Sequence, residues 1–238
     1  MSAPDAAVRM AGVVKHFGGL RPLRVSALSV GPRERVALVG LDAAAAEVFV
    51  NMVTGASLPD QGEITVHGRA TSAITDADQW VASLDEVGIV SRRAALLEDL
   101  TLAANIAMVF TLSLDPVPDD VLASVRQLAD EVGLDAGLLH RPLHGADAGV
   151  KAQCHLARAL ALNPRLLVLE HANAVAGDAA AAFADLVVRV SFRRLLPVLA
   201  LTADETFGRA VATRVYRLDP ATGELRARSR WRRWFRRS

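Results

Sequence analysis

Two hydrophobic periods take turns along this chain. Val8 to Val14 and Arg24 to Val30 read as half-buried antiparallel strands. Arg35 to Val39 (RVALV) is instead a continuous apolar run that ends at Gly40, as in a buried strand feeding a tight turn. Ala43 to Thr54 switches to helical spacing, with Val48, Phe49, Met52 and Val53 on its apolar side and Gly55 as its stop. Gly62 to His67 returns to strand and turns at Gly68. The stretch from Ala94 to Leu143 reads as mainly helical, punctuated by Asp115-Pro116-Val117-Pro118, and Val121 to Val132 is plainly amphipathic. Helix is expected over Lys151 to Leu162, stopped by Asn163-Pro164, then a buried strand from Leu166 to Leu169. Helix Ala179 to Val190, strand Pro197 to Thr202 and strand Val215 to Leu218 complete the body. Helices alternating with continuous apolar strands imply an α/β fold with a largely parallel sheet and crossovers.

Composition narrows this. The chain has 238 residues, of which 52% are hydrophobic and 22% charged, so it can bury a sizeable core. A mean hydropathy of +0.26 raises the question of a membrane span. Leu100 to Leu114 is too short and contains Asn105, and Leu186 to Leu201 is interrupted by Arg189, Arg193, Arg194 and Pro197, so none is expected. No signal-peptide layout is expected at the start, and one cysteine, Cys154, excludes an internal disulfide framework. Charge is lopsided. Seven of the 27 Lys and Arg follow Leu225 with no Asp or Glu among them, which leaves 20 basic against 26 acidic residues in the body. An acidic body is not the footprint of a nucleic-acid-binding domain.

Several local sequences then occur in a familiar order: Lys15-His16-Phe17-Gly18-Gly19-Leu20, Val39-Gly40, Asn51-Met52-Val53-Thr54-Gly55 and Pro59-Asp60-Gln61-Gly62-Glu63-Ile64. They continue with Leu100-Thr101-Leu102, Asn105-Ile106, the run from Leu156 to Glu170, and Arg217 to Leu225. Together they resemble the nucleotide-binding domain of ABC transporters over nearly the whole body. The resemblance implies a P-loop NTPase-like α/β fold with an N-terminal antiparallel β-subdomain and a helical subdomain. Residues 1–91 and 150–225 would form the core, 92–149 the helical signature subdomain, and 226–238 a basic aromatic tail.

The family's functional positions can be compared one by one. Its phosphate loop brings glycine amides, a lysine and a magnesium-binding hydroxyl to the nucleotide phosphates. In this chain the loop reads Gly40-Leu41-Asp42-Ala43-Ala44-Ala45-Ala46-Glu47 and leads into Val48. Ala43 and Ala45 take two glycine positions, Ala46 takes the lysine position and Glu47 the hydroxyl position. The lid glutamine falls on Arg92, and the signature falls on Ala146 to Val150, so Asp147, Ala148 and Gly149 stand at its centre. The Walker B acid pair reads Glu170-His171, the switch histidine falls on Ala203, and the D-loop aspartate falls on Gly177 or, with a one-residue slip, Asp178. Phe17 matches the aromatic residue that stacks on adenine.

Simpler readings stand beside these. Ala43 to Ala46 suits a helix start with Asp42 as its N-cap, and Glu47 suits a first-turn carboxylate. Glu47 could alternatively hold a cation or plug the site through Arg92 or Lys151. His140 and His144 flank Pro142 in a loop and are not read as zinc ligands, and Cys154 reads as a buried small residue, so no metal site is expected. Arg230, Trp231, Arg232, Arg233, Trp234, Phe235 and Arg236 mix indoles with guanidinium groups, a pattern suited to an anionic lipid surface or an acidic partner face.

The resemblance, with these departures, implies a nucleotide-binding-type transporter subunit that has lost ATP binding and hydrolysis. It would act as a structural or regulatory pseudo-ATPase, cytoplasmic and peripheral to the membrane, beside membrane-embedded subunits and a second such domain. No cofactor is expected on this reading and no nucleic acid. Two alternatives remain: a working ATPase that uses ATP and magnesium through substitute residues such as Glu170, and an interaction module outside transport.

Overall fold

The computed structural model describes residues 6–19 and 21–227. The chain opens with β1 (Val8–Lys15) and β2 (Leu23–Val30), an antiparallel pair. β3 (Arg35–Val39) enters the core, followed by α1 (Ala43–Val53), β4 (Gln61–Val66), β5 (Arg69–Ala70) and α2 (Ala77–Asp85). β6 (Val87–Ser91) leads to α3 (Leu102–Ala107), α4 (Asp119–Glu131) and α5 (Ala148–Leu160). Then come β7 (Leu166–Glu170), α6 (Ala172–Ala176), α7 (Ala180–Arg194), β8 (Val198–Thr202), α8 (Glu205–Val211), β9 (Arg214–Leu218) and β10 (Leu225–Ala227).

Two sheets result. One is antiparallel with order β2-β1-β4-β5. The other has order β10-β9-β3-β8-β7-β6, parallel except for β10 at its edge. The central strands are apolar over most of their length because both faces are covered, with polar residues only at their ends (Arg35, Glu170 and Thr202). Every residue of β7 and β8 is buried. α5 lies so close to β6 that a Cβ at Gly88 would come within 2.2 Å of the Ala159 carbonyl oxygen. One apolar cluster joins this sheet's other face to α3, α4, α5 and α7, and a second lies between the two sheets and α1.

The segment from Ala94 to Leu143 is less helical than its sequence suggests. Only α3, α4 and a short turn at Ala136–Leu138 are helical there. Fully buried Asn105 explains part of the difference, the loop before α3. Its side chain accepts from the Leu97 amide at 2.8 Å and donates to the Leu97 and Thr101 carbonyls at 2.9 and 3.0 Å, which satisfies a loop's backbone inside the fold.

α5 starts at Ala148 rather than Lys151, so the expected subdomain boundary at 149/150 falls within its first turn. α7 extends past Val190 to Arg194. β10 takes in Arg226 and Ala227, the first two residues of the expected tail. Arg226 there donates to Asp219 at 3.1 Å. The aromatic and basic positions from Arg230 to Arg236 lie outside the described residues.

Candidate functional site at the carboxyl ends of the parallel strands

In a parallel α/β sheet, ligands meet loops at the carboxyl ends of strands. β3 ends at Gly40, whose φ of +91° is open to glycine at little cost, and the chain turns there into α1. The Gly40 amide donates to the Thr202 carbonyl at 3.0 Å, which fixes the turn to the end of β8. Asp42 then caps α1, its carboxylate accepting from the Ala45 amide at 2.8 Å. A helix N-terminus attracts anions through its free amides and dipole. Here the chain's own carboxylate occupies that end.

The alanines that follow are helix, not open loop. Ala43 is exposed, Ala45 and Val48 are partly buried, and Ala46 is wholly buried in the second apolar cluster beside Phe49 and Val50. A methyl group packs into core at the position where the family resemblance places a lysine. Glu47 points outward, with its side chain 48% exposed.

The partner of Glu47 is Arg93, not Arg92 or Lys151. Lys151 is held by Glu98 at 2.6 Å, and Arg92 is exposed. Beyond β6, the Arg93 amide donates to Ser91 Oγ at 3.1 Å, and this tight turn sends its side chain back over the strand ends. Arg93 Nε donates to both Glu170 carboxylate oxygens at 3.0 and 3.1 Å, and Nη2 donates to Oε2 at 2.8 Å. Arg93 Nη1 reaches Glu47 Oε1 at 3.3 Å. The Glu170 side chain is only 6% exposed, so it needs this partner. The hydrogen bonds to Glu170, with help from Glu47, hold the Arg93 guanidinium above its ordinary pKa.

The remaining predicted positions do not join this bridge. His171 adopts a left-handed φ of 47°, and its Nε2 is buried without a hydrogen-bond partner among the described residues. Ala203 is exposed, and the neighbouring Asp204 caps α8 through the Thr206 and Phe207 amides. Asp147 caps α5 by accepting from the Val150 amide at 2.8 Å, with Ala148 as the first helical residue. Gly149 sits against that cap, where a Cβ would lie 3.1 Å from Asp147 Oδ1. Gly177 and Asp178 are exposed in the short turn between α6 and α7. Phe17 is partly buried against the second apolar cluster, its ring edge close to Gly19. Cys154 is buried, which pushes its thiol up to about 12. No group of three or more His, Cys, Asp or Glu side chains suited to a metal occurs among the described residues.

Sequence reasoning missed Arg93. The Arg92-Arg93 doublet was the available signal, but family spacing selects the first member. Which of two neighbours turns inward depends on the hydrogen bond to Ser91.

These residues do not fit a magnesium-bound triphosphate. α1 begins under a carboxylate, an apolar methyl replaces an amine, and Arg93 occupies both oxygens of Glu170.

The family model described as ABC transporter matches residues 21–174. The chain is 32% identical over 165 residues to the Fe(3+) ions import ATP-binding protein FbpC of Pseudomonas fluorescens, covering 69% of this chain and 45% of that protein. It is 28% identical over 213 residues to the methionine import ATP-binding protein MetN of Brucella abortus, covering 89% of this chain and 57% of that protein. The chain therefore spans about half the length of the curated relatives it matches. Among solved structures, the dimeric post-hydrolysis state of the ATP-binding cassette MJ0796 bound to ADP and Pi superposes with a TM-score of 0.69 at 18% identity, covering 93% of this chain and 97% of that one. The structure of cbiO1 from Clostridium perfringens, part of the ABC transporter complex cbiONQ, gives 0.73 at 15% identity, covering 93% of this chain and 87% of that one. At such identities these likenesses establish the cassette fold, while the family model decides membership: the chain belongs to the ABC transporter family.

Proposed function

We propose that this chain serves an ABC transporter as a cassette subunit whose own nucleotide site is held shut, contributing assembly or regulation rather than ATP hydrolysis. The observation that carries this reading is the Arg93 bridge between Glu170 and Glu47. It puts a protein cation between the end of β7 and the first turn of α1. Asp42 and Asp147 add carboxylates at the starts of α1 and α5. Relatives named as import ATP-binding proteins support an importer, and their different named cargoes leave the substrate class open. No helix among the described residues is long and apolar enough to cross a membrane, which suits a subunit docked at the inner face through membrane-embedded partners.

Calorimetry with ATP and magnesium tests the reading. We expect no dissociation constant below roughly 50 μM, equivalent to about −6 kcal/mol. Tighter binding favours the competing reading, a working ATPase with Glu170 on magnesium. We also expect no turnover above background, and no rescue by His171→Glu alone, since residues acting as a unit do not contribute independently. Co-purification with membrane subunits separates both readings from an interaction module outside transport.

We further propose that the basic aromatic residues beyond Ala227 contact anionic lipid or an acidic face of a membrane subunit. Basic residues near anionic lipid contribute about 1 kcal/mol each, over a Debye length. Sedimentation with anionic vesicles should carry down the full chain in low salt and not in high salt. A chain ending at Ala227 should stay in solution. Equal behaviour of the two chains would remove the role assigned to these residues.

A further inference from the structure

A second groove lies at the opposite ends of the strands that carry the Arg93 bridge. Its walls come from the residues just before β3, β7 and β8, joined by the turn after β4. Five-residue strands separate it from the carboxyl-end site by roughly 15 Å. The groove encloses about 450 Å³. Pro32, Pro164 and Pro197 line it, and such residues make fixed walls without amide donors. Leu195 adds an apolar surface that is 50% exposed, and Phe192, one turn earlier on α7, is 74% exposed.

Its polar lining is basic. Arg33, Arg165, Arg194 and His67 face the groove and no acidic residue does. Arg194 is committed, donating to both Glu131 oxygens at 2.6 and 2.5 Å and to the Leu160 carbonyl. Arg165 has only an exposed contact with Glu86 at 3.3 Å. The Arg33 guanidinium has no hydrogen-bond or ion-pair partner among the described residues. Backbone strain also collects here. Arg33, His67, Asn163 and Leu195 are four of the five non-glycine residues with positive φ among the described residues, at 64°, 48°, 53° and 55°. Asn163 and Leu195 follow helix ends, where glycine is the usual choice. Arg33 and Leu195 instead bring side chains to the groove from backbone that side chains disfavour.

We propose that this groove binds an acidic, apolar peptide segment of a partner protein in extended form. Charge complementarity chooses the sign, and the chain's own Arg-rich end has the wrong one. The shape chooses the class. Arg33 and Arg165 sit on separate loops along an apolar trough, as suits spaced carboxylates with apolar side chains between them.

The test uses the full chain and a short fluorescein-labelled peptide of alternating Glu and Leu, read by fluorescence anisotropy at low salt. Arg33→Glu/Arg165→Glu should weaken binding roughly tenfold or more, with Arg33→Gln intermediate. Both variants keep the basic end of the chain, so unchanged affinity in the double variant would place binding there and overturn the proposal. Hydrogen exchange supplies an independent readout: added peptide should slow exchange at residues 31–35, 163–166 and 195–198. No binding, protection only elsewhere, or self-association of the chain at this face in place of peptide binding would also overturn it.

Discussion

The parallel strands and the loops at their carboxyl ends follow different rules in this molecule. β7 and β8 are buried at every position, and each is apolar until its last residue, Glu170 and Thr202, as a doubly covered sheet needs. A few residues beyond such strands, the rim is charged and exposed, and two helices there begin under aspartate caps at Asp42 and Asp204. The scaffold tolerates little because each side chain touches many others. The rim tolerates replacement where, as at Asp42, Glu47 and Ala203, its residues are exposed. A cassette fold can therefore persist while residues at its rim change, since stability and ligand binding reside in different residues.

The largest effect should come from the scaffold. Leu167→Ala removes a fully buried side chain from β7 and should cost about 2–5 kcal/mol by urea unfolding. A cost like that of rim changes would mean that the two regions do not differ as described.

Next comes a pH effect that also belongs to the interior. His155 is 8% exposed on α5, and its burial, with Arg158 adding a smaller push, lowers its pKa from 6.5 to about 4. The folded protein holds this ring neutral while the unfolded chain takes up a proton near 6.5. Stability present above that pH is therefore lost as pH falls toward 4, by on the order of 2–3 kcal/mol. His155→Gln should flatten this limb, seen as urea midpoints at pH 7 and pH 4.5 that lie closer together than those of the unaltered chain.

The sequence foretold the scaffold better than the rim, for a physical reason. Burial imposes periodicity, so the strands from Arg35, Leu166 and Pro197 and the helix around Val125 and Leu128 could be placed within a few residues. Asn105 defeats that logic, because a single polar side chain supports a buried loop where its apolar neighbours suggest helix. α2 and α8 are short and half polar, and their patterns carry little signal. At the rim, Asp42 was legible as a helix cap because capping is local. The Arg93 bridge was not, because it joins residues 46 and 77 positions apart through a turn that only the folded chain defines.

That bridge gives the third prediction. Arg93→Met leaves the buried Glu170 carboxylate without its donor and should cost about 1–2 kcal/mol, less than a wholly buried pair because Arg93 is 42% exposed. ATP calorimetry should stay silent in this variant, since Ala46 and Glu47 are unchanged. Binding after this one substitution would show that the bridge alone closes the site.

The smallest effect should fall on Asp42, and it separates the two roles of the rim most sharply. Asp42→Ala removes the acceptor of the Ala45 amide and should cost about 1 kcal/mol, the usual worth of an N-cap. The freed amides and helix dipole then resemble an anion site again. Sulfate stabilises most proteins through exclusion from their surface, so both chains should gain as it is added. If the Asp42 carboxylate is what keeps anions away, the variant should gain more, with sulfate replacing part of the lost cap. Sodium chloride at matched ionic strength controls for screening of Glu47 and Arg93. Equal gains in the two chains would mean that Asp42 only caps α1 and does not keep anions from its end.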